Sequence, residues 1–319
     1  MDLKTDSIPT NKTKNSEVRF TFYMIIGIIL TIIVSALSIS FGAANMSVAT
    51  AWSAIFDFEP SITDHQIIMT LRAPRTVADL IVGANLAVCG ALMQGTTRNP
   101  LADSGLMGIS SGAAIATSMT YFIASVGKKG MTPQRLVLAG ISISMLFGAL
   151  SQFIALRFRI GRDLVYWTAG GTAGATWNEL LVIVPFFLIG IIGSIALSPS
   201  VTVMSLGEDV AIGIGLKTKF VKAMSIIIVL VLTGLSVIVV GPVSFVGLIT
   251  PHIVRYIVGV DYRYIIPASV LYGALLTASA DLIGRLINRP FETPIGIIFS
   301  VIGVPYFLFL ARRQRREFD

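Results

Sequence analysis

Residues 20–39 read FTFYMIIGIILTIIVSALSI, a run without a single charged side chain. About 20 apolar residues in a helix span roughly 30 Å, the thickness of the hydrocarbon core of a bilayer. The run is too long for the core of a signal peptide and ends without a small-residue cleavage site, so we expect it to stay as an anchor. This stretch predicts a transmembrane helix.

The rest of the chain repeats that pattern. Of its 319 residues, 54% are hydrophobic and only 13% are charged, which argues against an ordinary soluble domain. Nine candidate spans follow, at 20–40, 75–96, 104–126, 136–156, 179–198, 220–240, 242–259, 264–286 and 294–311. The sequence predicts an all-α, polytopic protein of the cell membrane, with one domain at 20–311 between polar tails at 1–19 and 312–319.

The net charge of +7 is concentrated at the two tails. Basic residues precede the first span and follow the last, at Lys4, Lys12, Lys14, Arg19, Arg312, Arg313, Arg315 and Arg316. We expect both termini to be cytoplasmic and their charges to meet lipid headgroups, and no aromatic residues interleave with them to suggest nucleic acid. Two cytoplasmic ends need an even number of crossings, so the count of nine is inconsistent, and 104–126, with basic flanks on both sides, is the suspect span.

Few side chains are suited to covalent or metal chemistry. Cys89 is alone, which excludes a disulfide framework and a cysteine metal cluster. A G-x-S-x-G match surrounds Ser110, but His252 lies far along the chain and no strand precedes the serine, so an intramembrane hydrolase is a remote alternative. The stretch at 213–218 has Leu216 where a phosphate loop needs glycine. We expect no catalytic site, metal or cofactor here, and any ATPase to be another chain.

The segment at 205–216 lies between two predicted spans and predicts a short cytoplasmic helix. Glu208 and Asp209 would occupy its first turn, where the helix dipole favours acids, and Gly213 or Gly215 would end it. The segment also offers apolar side chains, at Val210, Ala211, Ile212, Ile214 and Leu216. These fit either a partner's groove or the membrane surface.

Charged residues within predicted spans need partners. Arg75 precedes Asp79 by four residues and Arg285 follows Asp281 by four, so each pair would share a helix face. Local neutralisation is one interpretation. The other is that Arg72, Arg75 and Arg285, near the outer ends of spans, present positive charge to an acidic partner outside.

Several motifs in order point to one family. They are LRAPR at 71–75, VGANLAVCGALMQ at 82–94, RNPLAD at 98–103, GLMGISSG at 105–112, LAG at 138–140, YW at 166–167, GG at 170–171, LGE at 206–208, GPVSFVGLITPH at 241–252 and AD at 280–281. Together they resemble the FecCD-type permeases, the membrane subunits of ABC importers for iron–siderophores, haem and cobalamin. The resemblance covers about residues 20 to 311.

The resemblance implies a type II ABC importer permease fold, a permease dimer, two ATPase subunits that bind the ATP, and a substrate-binding protein outside. Arg72, Arg75 and Arg285 match the arginines that engage that binding protein. The loop at about 199–219 matches the part that couples to the ATPase, with coupling residues Leu206, Gly207, Glu208, Asp209, Ile212 and Gly215. We expect the translocation path to be lined by Asn85, Met93, Gln94 and Met107.

The chain departs from the family in one place. Family members have about ten spans, and one of them is missing near 125–135, where the parity conflict also falls. Either the 104–126 segment is re-entrant or displaced, or the chain has lost a helix and with it transport competence.

The predicted function is uptake of an iron(III)-siderophore, with ferric hydroxamate as the first candidate. Alternatives are haem or cobalamin import and, from another class, an ion-coupled secondary transporter.

Overall fold

The computed structural model describes residues 11–42, 46–104, 149–150, 152–159, 167–289 and 291–315. Helices and loops make up this described part, and it contains no strand. The helices are α1 (Asn11–Ser40), α2 (Val48–Phe56), α3 (Thr63–Ile67), α4 (Ala73–Thr97), α5 (Trp177–Leu206), α6 (Glu208–Gly213), α7 (Thr218–Val240), α8 (Val246–Val258), α9 (Tyr262–Ile287) and α10 (Ile295–Arg315). One π-helical turn, Ile68–Arg72, joins α3 to α4.

Six helices in this part of the chain are long and apolar enough to cross a membrane. They contain the predicted spans at 20–40, 75–96, 179–198, 220–240, 264–286 and 294–311, with ends that differ by a few residues, and α5 continues eight residues past its predicted end. Of the other two predicted spans, 104–126 lies outside the described residues except for Ser104, and 136–156 is described only at 149–150 and 152–156, where the chain is helical. The 125–135 gap, Met107 and Ser110 lie outside the described residues.

The predicted span at 242–259 is corrected to a broken crossing. Its helical part, α8, has only 13 residues, about 20 Å in length and too short for the hydrocarbon core. Residues 241–245 are not helical, because Pro242 cannot continue the hydrogen-bond ladder of α7. Phe245 has a left-handed backbone (φ 74°), and its N–H donates to Asp103 Oδ2 at 3.2 Å. Asp103 thus holds the start of α8 in place.

The two described ends of the chain lie on one face of the bundle. Arg19 of α1 donates to the Ile257 carbonyl at the end of α8, at 3.0 Å. At the other end of the bundle, the N–H of Gly296 in the first turn of α10 bonds the Gly170 carbonyl, so α10 runs back toward Arg19. We call the face with Arg19 and α6 the α6 face, and the opposite one, with α2, the α2 face.

Helix α4 occupies the centre of the bundle, against α5, α7, α8 and α9. A Cβ atom at Gly83 would overlap the Gly273 carbonyl of α9, and one at Gly90 would overlap the Gly247 carbonyl of α8. Only glycine allows the backbones to approach so closely at these two positions. Cys89 of α4 is buried against α7, with its Sγ 3.7 Å from the Val229 carbonyl.

Candidate functional site

The predicted short helix at 205–216 is confirmed as α6. Gly207, with φ at 144°, breaks the chain away from α5, and Glu208 and Asp209 form the first turn of the helix. The last helical residue is Gly213, and Gly215 turns the chain with φ at 86°. Gly207 and Gly215 therefore set both ends of α6, because a side chain at either φ would be strained.

The outer side of α6 is apolar. Large hydrophobic side chains are exposed there, at Leu206, Val210, Ile212 and Ile214, whereas Ala211 is fully buried against the bundle. Exposed apolar groups on a short helix are typical of a surface that a partner covers.

An ion pair fixes α6 to the bundle. Lys222 of α7 donates to Glu208 Oε1 at 2.6 Å, and this hydrogen bond and charge lower the pKa of the Glu208 carboxyl. Leu216, just after α6, packs on the core that includes Met204 and Val221. The sequence alone did not identify Lys222 as the partner of Glu208. A lysine one helical turn into α7 was a signal that could have indicated this pair.

A cavity of about 540 Å³ lies beside α6. Its wall includes Met93, Thr97 and Arg98 from the end of α4, together with Met204, Glu208, Lys222, Ser225 and Val229. Met93, although largely buried, therefore lines this cavity.

The other two described residues of the expected path, Asn85 and Gln94, are both buried in this conformation, and their role in a path stays a prediction. Asn85 is fully buried, and its amide makes no hydrogen bond within the described part of the chain. Gln94 is also buried, and its Nε2 donates to the Gly247 carbonyl at 3.1 Å. Gln94 thus ties α4 to α8, because the close approach at Gly90 brings the Gly247 carbonyl within its reach.

On the α2 face, the three predicted docking arginines meet around one pocket. Arg72, Arg75 and Arg285 line a space of about 270 Å³, together with Gly42, Ile67, Leu71, Ala173 and Glu292. All three arginines are largely buried, so most of each side chain lies in the wall and little is exposed to solvent. That they present positive charge to an acidic partner stays a prediction.

Arg75 is the centre of an ionic network. Its Nε and Nη2 donate to Asp281, the shorter contact being 2.7 Å from Nη2 to Oδ1, and its Nη1 donates to Glu292 Oε2 at 2.6 Å. Asp281 also accepts from Arg285 at 2.7 Å and from Thr172 at 3.4 Å. The Asp281 carboxylate therefore links Arg75 of α4 to Arg285 of α9.

The other arginines hold the end of α1. Arg72 Nη1 donates to the carbonyls of Ile39 and Ser40 at 3.0 and 2.6 Å. Arg285 donates through Nη1 to the Ser38 carbonyl at 2.8 Å and through Nη2 to the Ser38 hydroxyl. Since α1 ends here, these bonds satisfy carbonyls that have no partner within the helix.

Of the two predicted ion pairs, one is confirmed and the other is wrong. Arg285 pairs with Asp281 within α9, as its spacing suggests. Arg75 reaches across to Asp281 instead of bonding Asp79, whose two carboxyl oxygens are buried without a hydrogen bond in the described chain. Glu292, which sequence reasoning missed, lies three residues before α10. The signal that could have identified Glu292 was an acidic residue near the predicted outer arginines.

The described residues contain no group of three His, Cys, Asp or Glu side chains that could hold a metal ion. What they offer is an exposed apolar helix on one face and an arginine pocket on the other, with α4 between them. This arrangement suits contacts with two partners better than a reaction centre.

Comparisons with known proteins agree with this geometry. The family model of the FecCD transport family matches residues 30–126 and 112–313. The Bacillus subtilis (strain 168) iron(3+)-hydroxamate import system permease protein FhuB is 42% identical, over 96% of this chain and 88% of its own length. The Fe(3+)-citrate import system permease protein YfmD of the same strain is 38% identical, over 91% and 94%.

A solved structure is similar as well. It is described as an inward-facing conformation of a metal-chelate type ABC transporter, and its chain superposes with a TM-score of 0.74 at 26% identity, over 92% of this chain and 99% of that one. The sequence match spans most of the chain, and the structure matches at the level of the whole bundle. The chain belongs to the FecCD transport family.

Proposed function

We propose that this chain is the membrane permease subunit of an ATP-driven ABC importer that takes up an iron(III)-siderophore, with iron(III)-hydroxamate as the first candidate cargo. The similarity to FhuB, named for iron(3+)-hydroxamate import, supports the cargo. Haem and cobalamin are alternatives of the same class. The subunit works without chemistry of its own, and ATP is bound and hydrolysed by a separate subunit.

The observation that carries this proposal is the exposed apolar side of α6. Leu206, Val210 and Ile212 would enter a cleft of the ATPase, and the α6 face would be cytoplasmic. Closure of the ATPases would push α6, which is joined to α5 through Gly207 and to α7 through the Lys222–Glu208 pair. Both spans would then move together, as alternating access requires.

The α2 face would be the outer one. There the pocket formed by Arg72, Arg75 and Arg285 would receive an acidic side chain of the substrate-binding protein. A second permease subunit, identical or related, would complete the translocation path at their interface.

The coupling role is tested by purifying the chain with its ATPase subunit. Leu206→Asp puts a charge into the proposed cleft contact, so we expect the ATPase to be lost and uptake of radioactive iron(III)-hydroxamate to stop. The matched control is Val260→Asp, which changes an equally exposed apolar residue in another loop of the α6 face.

Two results would contradict the proposal. One is normal co-purification of the Leu206→Asp variant. The other is iron uptake by the chain without any ATPase subunit, which would favour an ion-coupled secondary transporter. If haem or cobalamin inhibits the uptake and a second hydroxamate does not, the assigned cargo is wrong, but the assignment as a permease subunit stands.

A further inference from the structure

We propose that Glu292 is an internal placeholder for the docking carboxylate: it occupies Arg75 in the free permease and is displaced when an acidic side chain of the binding protein enters the pocket. The inference rests on the proposed docking function and adds a residue that regulates it. It follows from the way in which Arg75 divides its hydrogen bonds between two acids.

The two acids on Arg75 differ in their exposure. Asp281 holds Nε and Nη2 and its side chain is 1% exposed, whereas Glu292 holds only Nη1 and is 28% exposed. Asp281 also accepts from Arg285, so its removal would break several bonds deep in the bundle. Glu292 is therefore the carboxylate of this pair that can be exchanged from outside.

The pocket has room and charge for another acid. Its volume of about 270 Å³ exceeds that of a carboxylate side chain several-fold, taking about 30 Å³ for one water as the scale. Among its described lining residues, three arginines face one acid, Glu292. Arg285 also lines the pocket, and its Nε makes no hydrogen bond in the described chain.

The exchange requires only a side-chain movement. Glu292 lies in the turn between α9 and α10, and the backbone of that turn is fixed, because the Thr293 N–H donates to the Gly284 carbonyl at 3.1 Å. The Glu292 side chain is held by the Arg75 contact, lines the pocket and is 28% exposed. Rotation away from Arg75 would release Nη1 to the incoming acid without unfolding the turn.

The test compares two variants that each remove one negative charge from the α2 face. Glu292→Gln removes the competitor, and Glu59→Gln changes an exposed acid outside the pocket whose carboxylate accepts from Ser61. The probe is the substrate-binding protein of the same import system, titrated onto the complete importer in nanodiscs. We expect Glu292→Gln to tighten docking about three- to tenfold and Glu59→Gln to change it less than about twofold.

Equal affinities of the Glu292→Gln and Glu59→Gln variants, or weaker docking by Glu292→Gln, would overturn the placeholder. Arg72→Glu separates this failure from failure of the docking function itself: if it does not weaken docking, the pocket is not the docking site. If Glu292→Gln does not fold, Glu292→Asp replaces it. The shorter acid reaches Arg75 poorly, so tighter docking supports the placeholder and unchanged docking contradicts it.

Discussion

Helices α1 and α4 both cross the bundle, yet they have opposite surroundings. In the most apolar stretch of each span, 11% of the residues are buried for α1 and 89% for α4. The more hydrophobic helix is the more exposed one, because lipid is as apolar as its isoleucines and offers no reason to bury them. Hydrophobicity therefore identifies a crossing, whereas small and polar residues identify the centre of the bundle.

The largest effect is expected at the ionic contact between α4 and α9. Asp281→Ala leaves the guanidinium groups of Arg75 and Arg285 buried without their shared carboxylate, which should cost about 3–5 kcal/mol of the free energy of unfolding. Thermal unfolding in detergent measures the loss.

The control for this prediction is Ile283→Ala, on the same helix but exposed, with an expected change within about 0.5 kcal/mol. An Asp281→Ala protein as stable as wild type would mean that the ion pairs near the α2 face do not hold α4 and α9 together.

The next prediction compares one glycine from each helix. Gly90→Ala places a Cβ against the Gly247 carbonyl, a backbone atom that cannot move aside, so we expect a loss of about 1–3 kcal/mol. Gly27→Ala in α1 meets side-chain atoms and no backbone: Leu271 Cδ2 at 2.6 Å, which can rotate away, then Leu271 Cγ at 3.2 Å and Tyr272 Cζ at 3.3 Å. Alanine also favours the helix, so Gly27→Ala should be neutral or slightly stabilising.

Thermal unfolding of Gly90→Ala and Gly27→Ala in the same detergent measures the loss of stability of each variant. Equal losses would show that α1 is packed as rigidly as α4, and the contrast between the two helices would fail.

The sequence predicts this contrast in part. Apolar length locates α1, α4 and α9, and the spacing of Gly83 and Gly90 marks the helix that others approach closely. The pairing of Arg75 could not be predicted, because a long side chain reaches either Asp79 on its own helix or Asp281 on another, and only the packing of α4 on α9 decides between them.

The broken crossing shows the same limit. The Gly241-Pro242 pair marks an interruption, and hydropathy alone counts 242–259 as one span. The left-handed Phe245 and its bond to Asp103 depend on a residue more than a hundred positions earlier, so no local pattern reveals them. The sequence places the three arginines near the outer ends of spans, but their meeting around one pocket, their burial and the acid beside them, Glu292, depend on tertiary packing.

A smaller effect is expected where α9, the main partner of α4, begins. Asp261 accepts from the Arg263 backbone N–H at 2.9 Å and so caps the helix, and Asp261→Ala should cost about 1 kcal/mol. Although partial burial raises the pKa of Asp261, hydrogen bonds from Arg263 and Thr202 bring it below the ordinary value.

Because this folded-state pKa is depressed, the contribution of Asp261 is complete above its unfolded pKa, about 4, and is lost as the pH falls through the lower folded value. Unfolding curves from pH 7 to pH 3 should therefore show the wild type and Asp261→Ala converging in acid. A difference that grows as the pH falls would contradict the cap.

The smallest effect is expected at the peripheral helix. Arg19 of α1 donates to the Ile257 and Tyr256 carbonyls in the last turn of α8, at 3.0 and 3.4 Å, and the contact is exposed. A cation at the negative end of a helix dipole contributes about 0.3–1 kcal/mol at low salt, so Arg19→Gln should cost no more than that. Since salt screens exposed charges, the cost should vanish in about 1 M NaCl, where the Debye length is about 3 Å. Lys219→Gln, which removes an exposed cation from the first turn of α7 on the same face, is the control and should not destabilise the protein. If Arg19→Gln destabilised the protein as much as Gly90→Ala, α1 would be as firmly fixed as α4, and the exposure of its apolar side to lipid would not measure its contribution to the fold.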